Sequence, residues 1–267
     1  MTLTLQFLGS GHNQAEELGH SAAVLLHDDI PDLVIDYGYT VHQAFHRYFP
    51  SQIVPAIFIT HCHLDHIGGL EALFSSRIAH ELQGNDRQRP KLFVPAPLIP
   101  TLHRIVASFP NALAEGGINF WDFFQLIPVE QSFWLNQRRY QVFAVRHHAP
   151  DSAFGLCLPG RFLYTGDTRP IPEVVSHYAS QDEWIFHDVS LYGNPSHSGL
   201  ADVLREYPEP LLARMVAYHL DSESSMQKVE SEGLRVARSG QRFVLRDRRQ
   251  AAAAADNHNG VESPQSG

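Results

Sequence analysis

Cysteine is nearly absent. Cys62 and Cys157 are the only two, too few for a disulfide framework, so a reducing, cytoplasmic setting is expected. Long apolar runs are missing as well. No window approaches the ~18 uninterrupted apolar residues of a membrane-spanning helix, so no membrane partner is expected. Met1-Thr2-Leu3-Thr4-Leu5 lacks the basic start and small-residue cleavage site of a secretory signal. Positive charge is scarce too. Lys and Arg total 20 against 29 Asp and Glu, a net of −9, which is a poor field for tracking a long nucleic-acid backbone. Histidine is the residue in excess, at 17 in 267 residues. That length suffices to bury a large core in one α/β domain. Residues 1–250 read as that domain, and 251–267, Ala-rich and then polar, as a disordered tail.

Apolar runs broken by Gly, Pro and Asp predict strands over 2–8, 22–26, 33–35, 56–60 and 91–94, with helices over 41–49, 70–82 and 102–109. The second half repeats the style. Strands are predicted over 140–145, 154–158, 161–164, 183–186 and 215–218, and a helix over 200–205. Two strand-rich halves, each with histidines at strand ends, suggest two stacked sheets with helices outside.

The sharpest signal is His61-x-His63-x-Asp65-His66, placed directly after a strand and before Gly68-Gly69. In a near-extended turn His61 and His63 point the same way and reach one cation. Asp65 and His66, past the bend, are placed for a second cation close by. Imidazole and carboxylate suit zinc, with iron or manganese as alternatives. Further ligands stand at later strand ends: His147 or His148 for the first ion, Asp167 to bridge both, and His219 for the second. Cys62, between two of these residues, is expected to point away from them. Asp36 either hydrogen-bonds a ligand histidine or simply ends its strand. His12, His20 and the other histidines have no spacing that demands a function. Arg235, Arg238, Arg242, Arg246, Arg248 and Arg249 read as a solvated basic face.

The His61–His66 block, followed in order by His147, Asp167 and His219, resembles the metallo-β-lactamase fold superfamily, across about residues 3–219. Phe7-Leu8-Gly9-Ser10-Gly11, Tyr164-Thr165-Gly166-Asp167-Thr168-Arg169-Pro170 and Asp188…Ser196-His197-Ser198 are similar to its ribonuclease Z and phosphodiesterase branch. The resemblance implies a four-layer αβ/βα sandwich, two divalent metal ions and phosphodiester hydrolysis. His61, His63, Asp65, His66, His147, Asp167 and His219 would be the metal ligands, and Asp65 and His197 the catalytic side chains. His147-x-x-Pro150-x-Ser152 favours His147 over His148.

The tRNA-gripping arm of ribonuclease Z has no room here, because only the stretch from Pro150 to Gly166 lies between the histidine motif and Asp167. The chain therefore looks like armless relatives that cleave cyclic nucleotides, including the phage anti-Pycsar type. A small anionic substrate is implied, and a homodimer is common among such relatives. Two other chemistries share the metal block: hydrolysis of a lactone or thioester, and a non-hydrolytic diiron redox module. His197 with the Asp167 motif favours the phosphodiester, and the lack of a flavodoxin-like domain argues against the redox module.

Overall fold

Two β-sheets carry the fold. The structure is a computed structural model, and it describes residues 2–15, 17–82, 89–108, 119–179 and 182–246. Its strands are β1 (Leu3–Gly9), β2 (Ala22–His27), β3 (Ile30–Ile35), β4 (Ala56–Phe58), β5 (Lys91–Pro95), β6 (Gln125–Val129), β7 (Ser132–Leu135), β8 (Arg138–Ala144), β9 (Phe154–Leu158), β10 (Phe162–Tyr164), β11 (Trp184–Asp188), β12 (Met215–Tyr218), β13 (Arg235–Val236) and β14 (Arg242–Val244). The helices are α1 (Val41–Tyr48), α2 (Leu64–Ile67), α3 (Leu70–Leu82), α4 (Ile99–Leu102), α5 (Phe120–Phe123), α6 (Pro172–Tyr178), α7 (Leu200–Glu206), α8 (Glu209–Leu212) and α9 (Glu223–Ser231). One sheet runs β14-β1-β2-β3-β4-β5-β6 and the other β13-β12-β11-β10-β9-β8-β7.

Side-chain alternation builds the layers. In β10, β11 and β12, Phe162, Tyr164, Phe186, Val216 and Tyr218 belong to the core between the sheets. Their neighbours Leu163, Ile185, Met215 and Ala217 belong to a second core that also holds Val175 of α6, Val203 of α7 and Val229 of α9. A period of two thus sends one face to the opposite sheet and the other to helices. Across the middle, Phe7 meets Phe186 at 5.4 Å and Tyr218 at 5.7 Å, and Phe93 stacks on Phe133 at 4.1 Å. The expected αβ/βα sandwich is the architecture found.

Parallel pairing sets where the chemistry gathers. β3, β4, β5 and β6 run parallel, as do β10, β11, β12 and β13. Their C-terminal ends therefore open toward one edge of the sandwich, the place where α/β folds gather ligands.

Local departures from the sequence reading have simple causes. β4 stops at Phe58, two residues early, because the Thr60 N–H turns to the Asp36 carboxylate at 2.8 Å. The helix expected over 102–109 begins earlier as α4, since Pro100 fits a first helical turn, and widens into a π-type turn over His103–Ala107. Residue 109 and the expected tail, 251–267, lie outside the described residues. No helix among the described residues is long and apolar enough to cross a membrane.

Candidate metal centre

Strand ends contribute the polar side chains of the site. Asp36 follows β3, His61 follows β4, Asp167 follows β10, Asp188 closes β11 and His219 follows β12. Asp36 and His219 hold left-handed backbone, φ 63° and 70°, a conformation that costs about 1–3 kcal/mol and clusters at functional sites. Gly166, at φ 65°, turns the chain just before Asp167, and a Cβ there would stand 3.0 Å from that of Thr60. Gly69 ends the His61–Gly69 motif because a side chain would collide with the Gly38 carbonyl.

Hydrogen bonds from outside fix the ring orientations. The Thr60 hydroxyl donates to Asp36 Oδ2 at 2.7 Å, so its lone pair accepts from His61 Nδ1–H at 3.0 Å. His66 Nδ1–H donates to Asp36 Oδ2 at 2.7 Å, and His147 Nδ1–H donates to the Ser196 carbonyl at 2.9 Å. Each bond turns Nε2 inward. Asp36 both ends its strand and anchors a histidine.

The inward atoms converge on Asp167 Oδ2. It lies 3.5 Å from His61 Nε2, 3.4 Å from His66 Nε2, 3.3 Å from His219 Nε2 and 4.0 Å from His147 Nε2. His63 joins through its Nδ1, 3.3 Å from His147 Nε2. Asp65 Oδ2 is 3.5 Å from His66 Nε2 and 3.6 Å from His219 Nε2. The nitrogens and oxygens fall into overlapping groups whose members all lie within 4.8 Å of one another: His61, His63, His147 and Asp167; Asp65, His66 and His219; and Asp167, Asp188, His197 and His219. All seven residues expected as ligands are thus brought together. His148 is exposed, its Nδ1 3.0 Å from Ser196 Oγ and its ring 4.9 Å from that of His63.

The electrostatics follow from burial and partners. Burial holds His61 well below its ordinary value and pushes His147 down to about 4. Burial works against charge at His66 and His219 too, but Asp167 and the carboxylates behind them outweigh it. His66 is held well above its ordinary value and His219 is raised to about 10. His197 donates Nδ1–H to Asp188 Oδ2 at 2.9 Å, and that bond raises its pKa despite burial.

A cavity of about 620 Å³ opens over the cluster, lined among others by Asp65, Asp167, His197, His219, His12 and His20. Sequence spacing singled out neither His12 nor His20. Their only signal is position, at the two ends of a loop that leaves β1 and enters β2. Cys62 Sγ points the other way, to the Leu98 carbonyl at 3.8 Å. The basic C-terminal residues engage the surface: Arg238 pairs with Glu223 and Glu230, and Arg242 with Asp29. Arg248 and Arg249 lie outside the described residues.

Residues 3–243 match the family model described as anti-Pycsar protein Apyc1. The chain is 25% identical over 268 residues to the anti-Pycsar protein Apyc1 of Bacillus phage BSP38, covering 91% of this chain and 99% of that one. It is 27% identical over 231 residues to the namesake from Paenibacillus xerothermodurans, covering 84% and 90%. Among solved structures it is similar to the metallo-β-lactamase fold protein YhfI from Bacillus subtilis, with TM-score 0.73, 13% identity, and 91% and 100% covered. It is also similar to a diphosphatase from the PhnP family, with TM-score 0.71, 17% identity, and 90% and 97% covered.

Proposed function

The chain belongs to the anti-Pycsar protein Apyc1 family and is a metal-dependent hydrolase, and from that premise we propose that it cleaves a small phosphodiester, a cyclic nucleotide, at a centre of two divalent cations. The observation that carries the metal is the set of buried polar atoms left without a hydrogen-bond partner. Among the described residues these include His61 Nε2, His66 Nε2, His219 Nε2 and both oxygens of Asp167. Buried polar groups are almost always satisfied, so five bare atoms facing one point fit a cation. His61, His63, His147 and Asp167 would hold one ion, and Asp65, His66, His219 and Asp167 the other. Zinc suits this donor set. When bound, the ions supply Lewis acidity and a water whose pKa falls toward ~7.

The protein's own groups do the rest. Asp65 holds an acceptor oxygen at the cavity, positioned to orient the attacking water. His197, whose pKa the Asp188 carboxylate raises despite burial, is placed to give a proton to the alkoxide that leaves phosphorus. That need separates a phosphodiester from an activated thioester, whose leaving group is far less basic. The β9–β10 hairpin, with Leu163 paired to Cys157, fills the chain between the His147 motif and Asp167 and leaves no length for a projecting arm. This supports a substrate that enters a cavity rather than a folded RNA.

The test is a hydrolysis screen of the metal-loaded protein on cyclic nucleotides, bis-p-nitrophenyl phosphate, a thioester and a lactone. Cyclic nucleotides should turn over, and His197→Ala should keep its metal yet lose roughly 10²–10⁴-fold on them. The loss should shrink on p-nitrophenolate, which needs little protonation. Thioester or lactone turnover without phosphodiester cleavage would overturn the reading.

A further inference from the structure

Two cavity histidines flank His219, and their outer hydrogen bonds are opposite in kind. His197 stacks on His219 at 5.0 Å with planes 13° apart, and its Nδ1–H is given to the Asp188 carboxylate. His12 sits 6.0 Å from His219 at 59°. Its Nδ1 lies 2.9 Å from the backbone N of Gln14, which donates to it. A backbone N–H cannot reverse its role, so His12 Nδ1 carries the lone pair and the ring proton sits on Nε2. His197 is wired to release a proton. His12 is wired to keep one.

His12 is also fixed in place. His219 N–H donates to the Ser10 carbonyl at 2.7 Å, and His12 N–H donates to the Leu220 carbonyl at 3.1 Å. These bonds clamp the loop after β1 to the strand end that carries His219, although the two segments are more than 200 residues apart in sequence. The Ser21 hydroxyl adds a bond to the Gly11 carbonyl at 3.0 Å. The ring lines the same cavity as Asp65, Asp167 and His197. A packing role alone would not require the tautomer to be set, nor the loop to be tied to the strand end that bears His219.

We propose that His12 is a further catalytic residue, a neutral imidazole whose Nε2–H donates to a phosphate oxygen of the substrate. The inference rests on the phosphodiesterase reading above. No bond to His12 forms or breaks. As a nucleophile adds to phosphorus, negative charge grows on the phosphoryl oxygens, and a fixed donor stabilises that charge without giving up its proton. The proton for the leaving oxygen comes from His197. Two imidazoles beside one ligand thus divide charge stabilisation from proton transfer, because one is backed by a carboxylate and the other by an amide.

Three measurements test this. Nitrogen-15 shifts of the metal-free protein should show His12 as the Nε2–H tautomer, and an Nδ1–H tautomer overturns the proposal. His12→Ala should keep both metal ions, bind inorganic phosphate more weakly by calorimetry, and lose roughly 10²–10³-fold in kcat on a cyclic nucleotide. His12→Gln, which keeps an N–H near the Nε2 position, should recover part of both losses. An alanine variant with unchanged kcat and phosphate affinity overturns the proposal. So does loss of metal in both variants alike, which would mean that the ring only props His219. A wild-type enzyme inactive on every phosphodiester would defeat the functional reading itself, whereas a wild type that is active beside an unaffected variant defeats the His12 assignment alone.

Discussion

Asp167 faces two groups of candidate ligands built from the same residue types yet prepared in opposite ways. His61, His63 and His147 form one group, and the outer partners of His61 and His147 are neutral, the Thr60 hydroxyl and the Ser196 carbonyl. Asp65, His66 and His219 form the other, and their outer partners are anionic: Asp36 behind His66 and Asp188 behind His219. Burial therefore wins in the first group and strips its imidazoles of protons. Carboxylates win in the second and keep its imidazoles charged while no metal is bound. A hydrogen-bond partner behind the ring, not the ring, decides whether a histidine waits for a cation as a ready ligand or as a proton carrier.

The largest expected effect removes what the groups share. Asp167 is buried with both oxygens unpartnered, and the inward nitrogens of both groups face it. Asp167→Asn keeps the size and loses the charge. Both ions should then bind weakly, and the reactive water should return toward its ordinary pKa near 15.7, a loss exceeding roughly 10⁴-fold in activity. Elemental analysis and the rise in Tm on adding zinc check it, since an ion that binds only the folded chain stabilises it. A variant that still takes up one full equivalent would show that the groups do not depend on a common carboxylate.

A smaller effect concerns protons. Loading the first group at pH 7 should release none, because burial already holds His61 and His147 neutral. Loading the second should expel about two, one from His66 and one from His219. A bound proton competes with the cation, so affinity at the second group should rise with pH, by roughly tenfold per proton per unit, until the histidines are neutral. Affinity at the first should stay flat above the ordinary histidine value, because burial holds His61, His63 and His147 all below it. Calorimetry in buffers of different ionisation enthalpy separates the two phases. Equal proton release from both would erase the contrast.

Contact with sequence pattern explains which parts of this could be read in advance. The His61–His66 block was legible because one strand and one bend place four side chains, with no distant residue needed. The central strands were legible as apolar runs buried on both faces. The strands that escaped, β6, β7, β13 and β14, are the four edges of the two sheets. Gln125–Val129 shows why: Gln125 and Pro128 are exposed and only Val129 is fully buried, which an edge tolerates and which leaves no clear apolar pattern. His147, Asp167 and His219 could be placed at strand ends as further ligands, but the choice of His147 over the adjacent His148 came only with the family resemblance. His12 was illegible, because its meaning arises from a contact with residue 219 and from an amide two positions away.

The smallest expected effect tests the alternation that builds the first group. Cys62 stands between His61 and His63, and with both histidines turned inward its side chain must turn out. Its Sγ lies 3.8 Å from the Leu98 carbonyl and packs beside the core between the sheets. Burial pushes the thiol up to about 12, with Asp36 adding to the rise. Only a thiolate binds zinc or attacks an alkylating reagent, and a free thiol has a pKa near 8.5. At pH 8 the native protein should therefore react with iodoacetamide at Cys62 about 10³-fold more slowly than the unfolded chain. Cys62→Ala should leave metal content and proton release unchanged and keep activity within about twofold, at a stability cost of ~1 kcal/mol from lost packing. Peptide mass spectrometry reads the first outcome and elemental analysis the second. Rapid alkylation of the native chain, or loss of one equivalent of metal in the variant, would place the sulfur among the ligands. The inward geometry of His61 and His63 would then be wrong for the metal-loaded protein.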